Sequence, residues 1–127
     1  MIYSRADQRI YFGDKSWECR SDFFPGFNEA GQPHESIPCG EYCGVYAEIA
    51  NNGVGYGTFY ITTGDPRSRD IHGGGSNLPS PFAPYQGWLG TYGCLRMQNA
   101  DGEELSQLII DNKNSDTLIV QEEPYYG

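Results

Sequence analysis

Seventeen glycines and eight prolines are spread through 127 residues, and they leave room for one convincing helix. Glycine loses the most backbone entropy in a helix, and proline lacks the amide hydrogen that a helix uses. Ten tyrosines favour pleated, half-buried surfaces instead. The expected fold is therefore mainly β, one domain over residues 1–127, with long loops and one short helix. Ile2-Tyr3 and Ile10-Tyr11-Phe12 read as a strand pair closed by the turn pair Gly13-Asp14. Residues 14–44 read as irregular, with an aromatic knot at Phe23-Phe24-Pro25-Gly26-Phe27. Ile37 to Tyr42 reads as a turn that leads into a strand ending near Ile49, and Asn51-Asn52-Gly53 signals a hairpin. Thr58 to Thr62 is the cleanest β segment, and Thr117 to Val120 reads as a closing strand. The helix starts with Asp101 as cap and Glu104 completing a capping box. Leu105, Leu108 and Ile109 form its apolar face, and Asn112-Lys113-Asn114 ends it.

Net charge narrows the partners. Eight basic against seventeen acidic residues give a formal charge of −9, which argues against nucleic acid and against anionic lipid as partners. No apolar run is long enough to span a membrane. The first residues lack a basic segment followed by an apolar one, so the expectation is synthesis in the cytoplasm without a secretory signal.

Between Gly64 and Gly90 lies a stretch with six glycines and four prolines, interrupted by the apolar Ile71 beside His72. A loop of this length in a small domain is usually functional. His72 precedes Gly73-Gly74-Gly75, which frees the backbone to approach a ligand. The other histidine, His34, sits in a polar loop and reads as solvated. Cys94 follows Gly93, in a turn that presents sulfur, and Arg96 stands two residues on as a cation able to hold a carboxylate or lower a thiol pKa. Each residue alone has a bland reading, a histidine at a strand end and a small buried thiol. Together they form a nucleophile and base pair flanking the loop. The four cysteines, Cys19, Cys39, Cys43 and Cys94, lack the paired knuckles of a zinc site, so no metal and no cofactor is expected. Cys39 and Cys43 are expected to pair if the protein works in an oxidising compartment.

Ile71-His72-Gly73 and, downstream, Thr91-Tyr92-Gly93-Cys94-Leu95-Arg96, with 21 residues between His72 and Cys94, resemble the L,D-transpeptidase signature, H-G and then [ST]-x-G-C-[IL]-[RN]. Met97 to Asp101 and the Pro38-Cys39-Gly40-Glu41-Tyr42 segment are similar to flanking parts of that family, so the likeness covers residues 37–120. It implies a β-sandwich or barrel-like catalytic domain with its helix after the nucleophile. It implies Cys94 as acyl-accepting nucleophile, His72 as general base, and the Gly73 carbonyl as the group that orients the imidazole. Arg96, Gly93, Thr91 and Tyr92 would line the substrate and oxyanion region, with Tyr92 standing where many relatives have a second histidine. The implied substrate is a peptidoglycan stem tetrapeptide, trimmed, exchanged or cross-linked.

Phe24-Pro25-Gly26-Phe27 and the small size look more like the type VI secretion effector branch. That branch implies action in the periplasm of a rival bacterium, a cognate immunity protein and a secretion-apparatus component as partners. Two other readings stand beside it. Another cysteine peptidoglycan hydrolase is disfavoured by chain order, because His72 precedes Cys94. A non-enzymatic protein or cell-wall binding module would suit the acidic, tyrosine-rich surface.

Overall fold

The computed structural model describes residues 1–127 and is mainly β, with two mixed sheets and a single helix. The first sheet contains β1 (Ile2–Ser4), β2 (Arg9–Phe12), β3 (Lys15–Glu18), β4 (Gly40–Tyr42) and β9 (Leu118–Gln121), ordered β3-β2-β1-β9-β4. Its centre is a parallel pair of the two chain ends, Ile2 opposite Ile119 and Tyr3 opposite Val120. The second sheet is β5 (Tyr46–Ile49), β6 (Phe59–Thr62), β7 (Ile71–His72) and β8 (Leu95–Arg96), in that order. β7 and β8 are parallel, with Ile71 opposite Leu95 and His72 opposite Arg96. After β3 the chain reaches Arg20, which exchanges both backbone hydrogen bonds with Arg96 at 2.9 Å. That bridge joins the two sheets at the edge strand β8.

Residues alternate between the two faces of a strand, and the second sheet uses this cleanly. Ala47, Ile61, Ile71 and Leu95 share one face, all buried. They pack with Phe59, Leu105 and Ile109 of α1 (Asn99–Asp111) and with Tyr3, Ile10, Leu118 and Val120 of the first sheet in one core. Glu48, Tyr60, His72 and Arg96 occupy one cross-strand row on the opposite face. Burying one face against the helix therefore obliges the polar row to line up on the other.

Four local expectations need correction. Residues 14–44 are not all irregular, because β3 pairs with β2 through Phe12 opposite Lys15, right after the Gly13 turn. The strand expected to run to Ile49 is two strands in different sheets, β4 and β5, separated by Cys43-Gly44-Val45. Gly44 lies backbone to backbone against Gly64, so a side chain there would collide with it. The helix begins three residues early, at Asn99 with Gln98 as cap and no side-chain cap bond; Asp101 lies in its first turn, and Glu104 accepts Trp17 Nε1–H at 3.0 Å instead of closing a box. Finally, Cys39 and Cys43 flank an extended strand rather than a turn. Four strand steps place them roughly 13 Å apart, beyond the reach of a disulfide, and all four cysteines are free thiols.

The stretch from Gly64 to Gly90 contains β7 and is otherwise without regular structure, yet it is tied down by side chains from the segment after Cys94. Asn99 is wholly buried. Its Nδ2 donates to Pro81 O at 2.9 Å and Ala83 O at 2.8 Å, while its Oδ1 accepts Thr58 N–H at 3.3 Å and Gly74 N–H at 3.2 Å. Gln86 Nε2 donates to Met97 O at 2.9 Å and its Oε1 accepts Asn99 N–H at 2.7 Å. Gln98 and Gly87 exchange two bonds, at 2.8 and 2.9 Å. Arg20 lies 4.2 Å over the Trp88 ring.

Asn99→Ala should lower stability by about 3 kcal/mol or more in urea unfolding, because it strands two carbonyls and two amides away from water. A loss below about 1 kcal/mol would mean the loop is held without it. After the protein is held in an oxidised glutathione buffer, its intact mass should show no loss of two hydrogens, whether or not glutathione has added to the exposed Cys39 and Cys43; such a loss would show that β4 opens to let the two pair.

Candidate functional site

Cys94 and His72 come together because β7 and β8 are adjacent. In the parallel register Cys94 falls beside Asp70, two residues before the row of His72 and Arg96. Cα positions so related lie about 8 Å apart, within reach of a thiol and an imidazole on the same face. Both line a cleft of about 470 Å³ together with Arg96, Tyr56, Ser68, Thr91 and Tyr92.

The turn before Cys94 has no freedom. Gly93 adopts φ 138°, and a side chain there would strike Glu35 O and the Arg69 stem. Thr91 braces the turn by donating from Oγ1 to Cys94 O at 2.8 Å and accepting Gly93 N–H at 3.0 Å. Gly93 N–H is thereby used, and the Cys94 N–H is the one left without an acceptor in the chain. Below the sulfur, the Arg69 guanidinium forms a two-pronged ion pair with Asp65, at 2.8 and 3.1 Å, almost completely buried. Asp65 also accepts the Arg67 and Arg69 amides, so the loop carrying Ser68 and Asp70 is rigid. Cys94 Sγ accepts Asp70 N–H at 3.3 Å and directs its own hydrogen to Ser68 O at 3.8 Å.

His72 is only 3% exposed. Its Nδ1 lies 2.9 Å from Gly73 O. A carbonyl only accepts, so Nδ1 carries the hydrogen and Nε2 keeps its lone pair. Tyr60 stacks on the imidazole at 6.0 Å with planes 10° apart, and Tyr56 meets it edge-on at 4.9 Å. Burial, and secondarily the Arg96 charge, outweigh the Gly73 bond and push the imidazole pKa down to about 4. Burial also raises the Cys94 thiol, as does the Asp70 carboxylate, against the opposing Asp70 N–H and Arg96. The resting pair is thus neutral thiol and neutral imidazole, not a preformed thiolate and imidazolium.

Arg96 is 4% exposed and forms no ion pair. It holds the walls of the cleft through carbonyls: Nη1 donates to Leu89 O at 2.7 Å and Gly90 O at 3.3 Å, and Nη2 to Gly55 O at 3.2 Å. Its Nε is buried without an acceptor. A buried cation held only by carbonyls favours an anion in the cleft beside it.

Of the seven residues expected at the site, Cys94, His72, Arg96, Thr91 and Tyr92 line this cleft, whereas Gly73 and Gly93 do not line it and act through their neighbours, Gly73 O on the imidazole and Gly93 in the turn before Cys94. Tyr92 is exposed at its rim, and the His34 ring lies tilted against it at 4.7 Å instead of standing alone in solvent. Three contributors went unnoticed in the sequence. Tyr56 and Tyr60 wall the imidazole, and Asp70 accepts Tyr60 O–H at 2.7 Å and the Thr63 amide at 3.0 Å. Asp70 stands two residues before His72, but Tyr60 reaches it only through the β6–β7 pairing. No family model matches this chain, and no curated protein or solved structure matches it either.

His72 binds its proton more weakly folded than unfolded, since its pKa falls from 6.5 to about 4. Its contribution to stability is therefore present above pH 6.5 and is lost as the pH falls toward 4. Between pH 7 and pH 4 the wild type should lose roughly 3 kcal/mol more than His72→Gln does in chemical denaturation. Parallel curves for the two proteins would show that the imidazole is not desolvated in solution.

Proposed function

We propose that the protein is a cysteine acyl-transfer enzyme acting on the stem tetrapeptides of peptidoglycan. The observation that carries this reading is the pairing of a thiol with a neutral imidazole whose tautomer is fixed by Gly73 O, in one cleft beside an unpaired buried guanidinium. The signature resemblance over Ile71–Gly73 and Thr91–Arg96 supplies the substrate class.

In this mechanism a peptide carboxylate lies near Arg96, and the thiol swings from Ser68 O toward His72. Nε2 takes the thiol proton as the sulfur attacks the carbonyl carbon between the third residue and the terminal D-alanine. The Cys94 N–H, free of any internal acceptor, stabilises the oxyanion. The imidazolium returns its proton to the departing D-alanine amine, leaving the tripeptide on sulfur as a thioester. Water then gives the tripeptide, and an amine gives an exchanged or cross-linked product. An unpaired Cys94 supports this over a disulfide-stapled binding module. Delivery to a rival cell's periplasm, and an immunity partner, belong to the same proposal and rest on the sequence resemblance alone.

Incubation with a stem tetrapeptide should release D-alanine and leave a tripeptide adduct in the intact-protein mass. Cys94→Ala should lose both while remaining folded. The acid limb of kcat/KM should lie near pH 4, where His72 gains its proton, not near 6.5. Arg96→Lys should cost about 1.5–3 kcal/mol in kcat/KM, since an ammonium cannot replace a fork that holds three carbonyls. Substrate consumption without D-alanine release, or full turnover by the alanine variant, would overturn the reading.

A further inference from the structure

Asp70 is a buried carboxylate that the acyl-transfer steps leave unused. It is 5% exposed and forms no ion pair. A buried charge without a counter-charge costs stability, so one that persists beside a nucleophile points to function. Its backbone brackets Cys94 across the β7–β8 pairing. Asp70 N–H donates to Cys94 Sγ at 3.3 Å, and Asp70 O accepts the amide of Leu95, the next residue, at 2.9 Å.

The carboxylate of the same residue reaches the wall of the base. Tyr60 stands opposite His72 in the β6–β7 register, and Asp70 is two residues before His72, on the same side of the chain. Asp70 therefore sits diagonal to Tyr60, within reach of a long side chain. The Tyr60 hydroxyl donates to Asp70 Oδ2 at 2.7 Å, while its ring lies nearly parallel to the imidazole. The Thr63 amide donates to Oδ1 at 3.0 Å.

Charges around the thiol are few. Burial is the largest influence on it. Beyond burial, the Asp70 amide and Arg96 favour the thiolate, whereas the carboxylates of Asp70 and Asp65 oppose it. Asp65 is neutralised by Arg69, and Arg67 lines the cleft but donates to Pro33 O at 2.9 Å. His72 is uncharged at rest. Asp70 is thus the one negative charge beside the sulfur that no cation offsets.

We propose that Asp70 is a positioning residue that keeps Cys94 protonated until His72 takes the proton. A thiolate formed on its own would lie beside an unneutralised carboxylate. An imidazolium formed at the same moment faces the Tyr60 ring, which its bond to that carboxylate makes richer in electrons. Sγ and Nε2 therefore change charge together: the proton leaves the sulfur and arrives on the ring as attack begins. This inference rests on the acyl-transfer reading and adds the regulation of its thiol.

Two variants of the full chain, Asp70→Asn and Tyr60→Phe, test the proposal with iodoacetamide. Cys94 is followed by the mass of its own peptide, so the exposed Cys39 and Cys43 do not count. Asp70→Asn should be alkylated about tenfold faster than the wild type at about pH 8, the effect of removing one nearby like charge. The gain should shrink at higher pH, where both thiols ionise. Tyr60→Phe keeps the carboxylate and should react within about twofold of the wild type. On a stem tetrapeptide ending in D-alanine, both variants should lose about tenfold in kcat with KM held within about twofold, the scale of one hydrogen bond to a charged group. Unchanged alkylation of Asp70→Asn would overturn the proposal, as would wild-type kcat in both variants. A gain that is constant across pH, or shared by Tyr60→Phe, reports looser packing and would overturn it too. If Asp70→Asn does not fold, the kcat of Tyr60→Phe decides. If the wild type turns over no tetrapeptide, the acyl-transfer reading has failed, and alkylation alone decides whether Asp70 governs the thiol.

Discussion

The carboxamide of Asn99 ties three pieces of chain to one buried point. It receives amides from Thr58, at the start of the β6 hairpin arm, and from Gly74, just beyond His72, and it gives its two hydrogens to Pro81 and Ala83. A buried amide that satisfies all four of these groups acts as a small piece of sheet made from one side chain. It also explains the glycines near it. A side chain at Gly57 or Gly73 would collide with the Asn99 oxygen. The loop is therefore shaped around a polar atom, where most loops are shaped around their own turns. The position of the His72 ring follows from this, because Gly73 O, the acceptor for Nδ1, lies in the segment that Asn99 holds.

How much of this was legible in the sequence depends on how local each signal is. Cys94, Gly93 and Arg96 lie within four residues, and His72 touches Gly73, so their chemistry could be read from neighbours. The roles of Asn99, Gln98 and Gln86 could not. Each serves a carbonyl or amide more than ten residues away, and a polar residue gives no hint of which distant backbone group it will satisfy. Tyr60 belonged to the cleanest β segment, yet its contact with His72 appears only once β6 and β7 pair. The helix start failed for a related reason: Asp101 and Glu104 have cap chemistry, but Glu104 is taken by Trp17 and Asn99 by the loop. Tertiary partners outbid the local motif. β3 escaped because Lys15-Ser16-Trp17-Glu18 carries one large apolar residue and its support comes from β2.

Electrostatically the site is asymmetric by construction. The core face of the second sheet is apolar, which confines every charge to the opposite side. There, the buried Arg69–Asp65 pair is internally neutral and serves as scaffold, whereas Arg96 is not neutralised. Burial holds both members of the thiol and imidazole pair uncharged. A site of this kind keeps its thiol uncharged while the cleft is empty, and it resists stray oxidation because the thiolate is scarce.

The parallel pairing of β1 with β9 has a consequence for how the molecule comes into being. Ile2 must find Ile119, a contact that spans nearly the whole chain. During synthesis the first hairpin can form early, but the centre of its sheet stays open until the last strand has left the ribosome. Closing so long a loop is entropically slow. Until it closes, β1 presents an unpaired edge to whatever is nearby, and β4 has no strand to join. Chaperones or a binding partner that recognises such an edge would meet this protein most readily before β9 arrives, when the cleft residues are all made but the first sheet is still incomplete.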